Sequence, residues 1–427
     1  PEPESLVITG SWTWQGGSKT TGAEAVYGRK GVAGAAPGCR SGASRWVDAS
    51  GRLVLFGGLA DEPYEGLFYL NDLWRWDGSR WTWLGGSSAF GQPGVYGVKG
   101  VASASNVPGA RAYAASWLDV TGNLWLFGGI GYDASGASGH LDDLWRWDGA
   151  NWTWMGGTKN ADQYGSYGAK GVDSAGNLPG GRFASATWTD AGGNVWLLGG
   201  QGYAESGPPG TLNDLWKWNG TAWAWMRGAT VANDDGSFGT KGLATPTNLP
   251  CARLAAAAWM DDRGDAWVFG GARDQGIGRV ELNDLWKWDG TNWTWMSGSS
   301  APNAPGHHGT KGSPAGTNVP GARHGAVAWT SGAGSIRLLG GYGYDGGSTP
   351  GFLADAWLWD GANWTWEAGP PGVDVPGFYG TPGIPSTSSS PGGRVSAAAW
   401  LDADGALYIF GGAGLAASTS PGPLSDL

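Results

Sequence analysis

A pair of adjacent glycines recurs six times along this chain at an almost constant interval. The pairs begin at Gly57, Gly128, Gly199, Gly270, Gly340 and Gly411, which gives spacings of 71, 71, 71, 70 and 71 residues. Each pair follows a short apolar segment. Spacing this regular indicates six copies of one structural unit, which must bury its apolar faces against neighbouring copies.

The second copy contains four segments that are typical of short β-strands. They are residues 111–119, 124–129, 141–147 and 152–155, separated by VTGN, by a variable loop and by Asp148-Gly149. Apolar and polar residues alternate in them, as in antiparallel hairpins. The chain has 82 glycines and 24 prolines, which interrupt helices, and its 31 tryptophans argue against disorder. The sequence therefore predicts an all-β protein with four antiparallel strands per copy.

This pattern resembles the kelch repeat, in which a double glycine is followed by an aromatic residue and, after six intervening residues, a tryptophan. The matching pairs are Trp74/Trp81, Trp145/Trp152, Trp216/Trp223, Trp286/Trp293 and Trp357/Trp364. The resemblance covers nearly the whole chain and implies a six-bladed β-propeller of the galactose oxidase-like superfamily. Trp replaces the usual first Tyr, and units of 70 or 71 residues exceed the usual repeat of about 50. These departures indicate a bacterial, Trp- and Gly-rich, long-repeat variant.

The chain is predicted to form one domain, residues 1–427, whose last blade is assembled from both ends. The blades are expected at about 40–86, 111–157, 182–228, 253–298, 323–369 and 394–427, the last completed by residues 5–17. The N-terminal LVITGSWTWQGG resembles the outer half of the first copy, WRWDGSRWTWLGG. Pairing the termini removes open sheet edges. The rival interpretation is that residues 6–14 complete a neighbouring molecule's blade, which would give self-assembly.

Residues present in every copy are expected to be structural, because one site on a ring needs its chemistry only once. Trp74 and Trp76 are two apart on one strand, so both project to one face of the sheet. A buried tryptophan removes about 150–250 Å² from water. Packing between blades is therefore favoured over a sugar-stacking platform. Cys39 and Cys251 fall in copies three apart and are expected to be separate, inert thiols.

An arginine opens the first strand and an aspartate lies in the third strand of every copy. The arginines are Arg40, Arg111, Arg182, Arg253, Arg323 and Arg394, and the aspartates are Asp72, Asp143, Asp214, Asp284, Asp355 and Asp426. They could form a charged ring that binds an anion in a central channel. The favoured interpretation is a structural ring of Arg–carboxylate and Arg–backbone bonds that ties the blades together. The kelch resemblance also implies a scaffold role.

The loops that follow each double glycine change from copy to copy, so they hold the candidates for ligand contact. These candidates are Asp61, Glu62, Tyr64, Tyr132, Asp133, Tyr203, Asp274, Arg279, Tyr344 and Asp345. The loops share one end of the predicted ring with the connectors of about 25 residues between copies. His307, His308 and His324 lie in one copy, but no carboxylate accompanies them at ligand spacing. They are weak metal candidates, and no metal or cofactor is predicted.

The formal charge of −10 and the lack of a Lys/Arg run exclude a nucleic-acid backbone as partner. No apolar run approaches the roughly 20 residues of a membrane span, so membrane insertion is not expected. The start, PEPES, is interpreted as a mature or trimmed terminus.

Two classes of function remain. The favoured one is a non-catalytic binding or assembly propeller at a bacterial surface or outside the cell, which engages protein or glycan through its long-loop face. The alternative, from the family resemblance, is a carbohydrate-active enzyme of the galactose oxidase-like or sialic-acid isomerising type. The scarcity of histidine, four in all, disfavours a copper site.

Overall fold

The computed structural model describes residues 11–48, 50–62, 66–276, 278–330, 335–402 and 404–427. Their regular structure consists of β-strands. In the first two copies these are β1 (Ala33–Ala35), β2 (Ser44–Val47), β3 (Leu53–Glu62), β4 (Gly66–Trp76), β5 (Trp81–Gly85), β6 (Arg111–Ala112), β7 (Ala115–Leu118), β8 (Leu124–Phe127), β9 (Ile130–Tyr132), β10 (Ser138–His140), β11 (Leu144–Trp147) and β12 (Trp152–Gly156). No helix that could cross a membrane occurs in these ranges.

The other four copies repeat the arrangement. Their strands are β13 (Arg182–Phe183), β14 (Ala186–Thr189), β15 (Val195–Gly202), β16 (Gly210–Trp218), β17 (Trp223–Arg227), β18 (Ala257–Met260), β19 (Ala266–Gln275), β20 (Gly278–Trp288), β21 (Trp293–Ser297), β22 (Arg323–His324), β23 (Val327–Thr330), β24 (Ile336–Gly343), β25 (Gly351–Trp359), β26 (Trp364–Ala368), β27 (Arg394–Val395), β28 (Ala398–Leu401), β29 (Leu407–Phe410), β30 (Ala413–Leu415) and β31 (Pro421–Pro423).

Each copy forms open, antiparallel sheets in which neighbours in sequence pair. In the fourth copy the order is β18-β19-β20-β21, and the four strands predicted for the second copy appear in the order β7-β8-β11-β12. The second and third predicted strands extend beyond the double glycine towards the variable loops. The prediction of an all-β protein is confirmed.

The double glycines lie at a bulge that only glycine fits. The register of β3 and β4 shifts between Phe56 and Gly58, where Gly57 has φ +63° and Gly58 has φ +109°. A Cβ on Gly57 would lie 2.6 Å from the carbonyl oxygen of Arg111 in the next copy. This motif therefore lets one copy approach the backbone of the next.

The first strands of successive copies contact one another in a cycle. Strand β2 contacts β7, and the series continues through β14, β18, β23 and β28, which contacts β2 again. Six backbone hydrogen bonds follow the same cycle. In each bond the backbone N–H of one residue donates to the backbone oxygen of its counterpart in a neighbouring copy, over 2.7–3.1 Å. The donor and acceptor residues are Tyr113 and Gly42, Ala184 and Tyr113, Ala255 and Ala184, Gly325 and Ala255, Ser396 and Gly325, and Gly42 and Ser396. We call these six residues the hydrogen-bonded ring; all have φ between +50° and +61°.

The tryptophans lie between copies rather than on an open surface. Trp74, Trp145, Trp216, Trp286 and Trp357 have no exposed surface. Trp216 packs with Leu197 of its own copy and with Trp125 and Phe127 of the preceding one. A second set is half-buried under the repeated lysines of the connectors, with Lys241 Nζ 4.5 Å from the Trp295 ring. Its members are Trp83, Trp154, Trp225, Trp295 and Trp366. These side chains are therefore packing residues.

The two ends of the described chain meet beside the sixth copy. Gln15 N donates to Leu427 O at 2.7 Å, and Leu427 N donates to Gly16 O at 3.0 Å. Trp12 forms an antiparallel bridge with Ser386. Residues 5–10 of the predicted composite blade lie outside the described residues.

Candidate functional site on the long-loop face

A buried layer of identical side chains supports the long-loop face. In the third copy, Arg182 donates through Nη1 and Nη2 to both oxygens of Asp214, at 2.7 and 2.8 Å, and through Nε to Gly180 O at 3.0 Å. Trp216 Nε1 donates to the same carboxylate at 2.7 Å. Equivalent pairs join Arg40 to Asp72, Arg111 to Asp143, Arg253 to Asp284, Arg323 to Asp355 and Arg394 to Asp426. We call this the Arg–Asp layer.

The layer joins strands within a copy through side chains and joins copies through backbone. Both members of each guanidinium–carboxylate pair belong to one copy, whereas Arg182 N donates to Leu141 O of the preceding copy at 3.0 Å. A buried tyrosine completes the unit: Tyr96 OH donates to Asp143 at 2.7 Å, and burial raises the pKa of Tyr96 above its usual range. These groups are fully paired with one another, so the layer leaves no group for a ligand.

His308 occupies the place that a tyrosine takes in four other copies. Its ring lies 4.9 Å from Trp357 and 5.1 Å from Trp366, and Nε2 is 3.5 Å from Asp355. His307 is exposed, and its backbone bridges Val319. Among the described residues no group of three His, Cys, Asp or Glu side chains could hold a metal ion. Cys39 and Cys251 are buried and not joined to each other, and burial raises the pKa of Cys251.

One row of residues beside this layer has a different combination of side chains in every copy. It crosses the first three strands in register, as the pairs Phe183↔Gln201 and Gln201↔Thr211 show in the third copy. Around the molecule the first position is Ser41, Ala112, Phe183, Leu254, His324 and Val395; the second is Leu59, Ile130, Gln201, Ala272, Tyr342 and Ala413; the third is Tyr69, His140, Thr211, Glu281, Phe352 and Pro423. We call this the variable row.

Between the second and third copies the variable row is aromatic. The His140 ring lies 5.5 Å from Phe183 and 5.5 Å from Tyr203, and Tyr164 stands 5.2 Å beyond Tyr203. His140 Nδ1 is 2.9 Å from the Asp162 carboxylate, which fixes the ring. Tyr164 is exposed and Tyr203 half-buried, so the cluster presents aromatic edges to solvent.

Between the third and fourth copies the row is polar. Gln201 Nε2 donates to Asp274 Oδ2 at 3.0 Å, and Arg279 Nη2 donates to Gln201 Oε1 at 3.1 Å. Arg279 Nε lies 3.5 Å from Asp274 Oδ1, and the two charged side chains are 43% and 36% exposed. Both ions of this pair therefore remain available to a ligand.

Between the fourth and fifth copies the row holds an acid–base pair. His324 Nδ1 lies 2.8 Å from Glu281 Oε2, with 17% and 7% of the two side chains exposed. The Tyr342 ring is 5.8 Å from His324. Burial first, and then Asp374 and Glu281, raise the pKa of Tyr342. Arg279 and Glu281 lie two residues apart on β20, so this pair adjoins the polar cluster.

The structure separates the predicted contact residues into two groups. Tyr203, Asp274 and Arg279 belong to the clusters above. Asp133 is instead buried and accepts bonds from the N–H groups of Ser135, Ala137 and Ala161 at 2.8–3.0 Å, so it holds its own loop. Asp345 likewise accepts from Gly347 N at 2.7 Å.

The remaining predicted residues lie at the edge of the site or beyond the description. Tyr132 stacks edge-on to Tyr69 at 6.1 Å, and Tyr344 is half-buried. Asp61 and Glu62 are the last two residues of β3. Tyr64 lies outside the described residues.

The strand arrangement defines an all-β fold of the β-propeller kind, and solved structures agree. The chain is similar to the structure of YjhT, with a TM-score of 0.52 and 15% sequence identity over 92% of this chain and 94% of that one. At that identity the likeness shows the fold. No family model matches the chain, and no curated protein matches it. The kelch assignment therefore stays a prediction.

Proposed function

We propose that this chain is a six-bladed, kelch-like propeller, closed by its two termini, that binds a protein or glycan ligand through its long-loop face without catalysing a reaction. The cyclic contact of the first strands and the hydrogen-bonded ring support six blades. The bonds from Gln15 and Leu427 support closure by the termini of one chain. Exchange of these terminal segments between molecules is the rival proposal.

The observation that carries the binding proposal is the variable row. Its first position follows directly after the layer arginine, and its third position directly precedes a leucine; both of these neighbours recur in every copy. The first and third positions carry a different residue in each of the six copies and the second carries five residue types, whereas the neighbouring arginine and leucine never change. Ligand contacts are normally made by side chains that vary in sequence and are held by a rigid scaffold.

The chemistry of the row suits a polar ligand with flat faces. Aromatic rings at one copy boundary adjoin a charged pair and an amide at the next. Tyr, His and Arg beside amides are frequent at protein interfaces and offer stacking surfaces together with directional hydrogen bonds. Sugar rings present the same combination of apolar faces and hydroxyl groups.

One observation favours the alternative function, a carbohydrate-active enzyme. The Glu281–His324 pair at 2.8 Å could hold and transfer a proton next to a bound sugar. No second group that would complete such a reaction is assigned, so binding remains the proposal.

A location outside the cell or at the bacterial surface belongs to the same proposal. It is supported by the kelch resemblance and by the low cysteine count of two. Protease shaving of intact cells tests it: the protein should disappear from the washed cells without lysis.

A glycan array and affinity capture with three variants test the binding proposal. Phe183→Ala, Gln201→Ala and Glu281→Thr each introduce the residue that another copy carries at that position, so the blade should tolerate them. We expect at least tenfold weaker binding in each. Val395→Ala is the matched control, since the variable row of the sixth copy is apolar, and it should bind normally. Equal binding by all four variants would refute the site, and turnover of the ligand lost in Glu281→Thr would favour the enzyme.

A further inference from the structure

Arg45 differs from the arginines of the Arg–Asp layer because no described residue pairs with its charge. It lies on β2, paired with Leu55. In the described part of the chain, no hydrogen bond or ion pair reaches its guanidinium, whereas all six layer arginines are bound to carboxylates.

The equivalent positions in the other copies carry small side chains. They are Ser116, Thr187, Ala258, Ala328 and Ala399, all in the same register on their first strands. These strands contact one another in a cycle and so enclose an axis. Arg45 is therefore the one long side chain at this level of the channel, and five small neighbours leave space in front of it.

The solvent exposure of Arg45 and the pKa of its guanidinium both fit a position beside the enclosed axis. Its side chain is solvent-accessible, yet burial among the surrounding strands lowers the pKa of its guanidinium to about 10, without any contribution from a carboxylate. At neutral pH it is still charged. The charged group is therefore accessible to an anion from solvent.

The location separates this group from the long-loop face. Arg45 lies three residues beyond Gly42 of the hydrogen-bonded ring, a distance of about 10 Å along a strand. The tight turns at the far end carry Asp48, Asp119, Asp190, Asp261 and Asp402, each of which accepts hydrogen bonds from the N–H groups of its own turn. None is within ion-pair distance of Arg45.

We propose that the central channel binds one small oxyanion, a carboxylate or phosphate group, at the Arg45 guanidinium. The planar fork of an arginine accepts two oxygens of such a group through paired N–H bonds. The hydroxyls of Ser116 and Thr187 lie at the same level on the next two copies. The site is independent of the proposed ligand on the long-loop face.

Calorimetric titration with sodium phosphate and with sodium acetate tests the site and distinguishes the two sources of oxyanion. We expect one site per chain for at least one of them. Arg45→Ser, which reproduces Ser116, should weaken that binding at least tenfold. Arg45→Lys, which keeps the charge and loses the fork, should weaken it less. Arg80→Ala removes an exposed charge from a surface turn and should leave it unchanged.

Three results would overturn the proposal: no saturable binding of either anion, equal affinity in wild type and Arg45→Ser, or equal weakening by Arg80→Ala. The last would show a general effect of net charge. Far-UV circular dichroism and the melting temperature of each variant establish that it is folded. Retained glycan or protein binding by Arg45→Ser would separate this site from the long-loop face.

Discussion

The Arg–Asp layer and the variable row lie side by side and follow opposite rules. Arg182 and Phe183 are neighbours in sequence, yet the arginine recurs in all six copies and the next residue differs in all six. Adjacent residues of a strand point to opposite sides. One side of the strand therefore carries the repeated arginine, while the other carries residues that change from copy to copy, some of them buried, such as Ala112 and Leu254. In this molecule the residues that recur in every copy stabilise the fold, and the residues that do not recur form the candidate site.

The largest effect should come from breaking one pair of the Arg–Asp layer. Arg182→Ala leaves the Asp214 carboxylate buried with no cation, and the structure places both side chains at 1% exposure or less. Removing one partner of such a pair costs about 3–5 kcal/mol. Urea denaturation should show that loss in the free energy of unfolding. Arg279→Ala, at the half-exposed pair of the long-loop face, should cost under about 1 kcal/mol; equal losses would erase the distinction between the two regions.

The next largest effect should come from the chain ends, which complete the layer in the sixth copy. Deleting residues 1–14 removes Trp14, whose ring lies 5.9 Å from Tyr379, and Tyr379 in turn donates to Asp426. Removing two half-buried tryptophans should cost about 3 kcal/mol. A melting curve measures this loss.

Chromatography of the same deletion distinguishes closure from exchange. If the ends close their own ring, the oligomeric state is the same before and after deletion. Loss of a larger assembly on deletion would support exchange of terminal segments between molecules. An unchanged melting temperature would contradict both.

Sequence reasoning could find the layer because repetition is visible in one chain. The arginines, aspartates and glycines recur at fixed spacing, and burial of the tryptophans follows from their number and alternation. The variable row was also within reach, since aligning the six copies reveals positions 183, 201 and 211 as differing. His308 could likewise have been recognised as the counterpart of Tyr167.

The contacts across copy boundaries were out of reach. The sequence places no carboxylate at ligand spacing from His324, but Glu281 approaches it from the preceding copy, 43 residues away. Gln201 meets Asp274 across 73 residues. Such pairs depend on how one sheet packs on the next, and spacing within a copy carries no information about that distance.

Asp142 offers a test in which one copy departs from the pattern beside the layer. Three other copies have Asn at this position, and Asn213 Nδ2 donates to Pro250 O at 3.2 Å. Asp142 has no such donor, its Oδ2 lacks a partner, and burial raises its pKa to about 6. Above its ordinary pKa of about 3.9 the unfolded chain ionises freely while the folded chain retains the proton. Stability should therefore fall as pH rises from about 4 to 6.

Asp142→Asn should remove that pH dependence and stabilise the protein at pH 7 by about 2 kcal/mol. Urea denaturation at pH 4, 5, 6 and 7 measures both effects. Asn283→Asp is the reciprocal control, since Asn283 Nδ2 donates to Pro320 O at 3.2 Å, and it should introduce the same pH dependence into the fourth copy. If Asp142→Asn kept the pH dependence of the wild type, or if the reciprocal variant left that dependence unchanged, the buried carboxylate would not be the origin of the effect.

The smallest effect should come from the hydrogen-bonded ring, whose residues lie two positions after the layer arginines. Ala255 has φ +50°, a conformation that costs a residue with a Cβ about 1 kcal/mol. Ala255→Gly relieves this strain but increases the entropy of the unfolded chain, so stability should change by less than about 0.5 kcal/mol. At the equivalent position in the next copy, Gly325→Ala adds the strain and brings its Cβ against the Val395 side chain. It should therefore destabilise the protein by about 1–2 kcal/mol. Because the two variants exchange the same two residues at one position of the repeat, equal and opposite shifts in the melting temperature would show that the ring is strained alike in every copy. We expect unequal shifts in melting temperature, because in Gly325→Ala the added Cβ also meets the Val395 side chain.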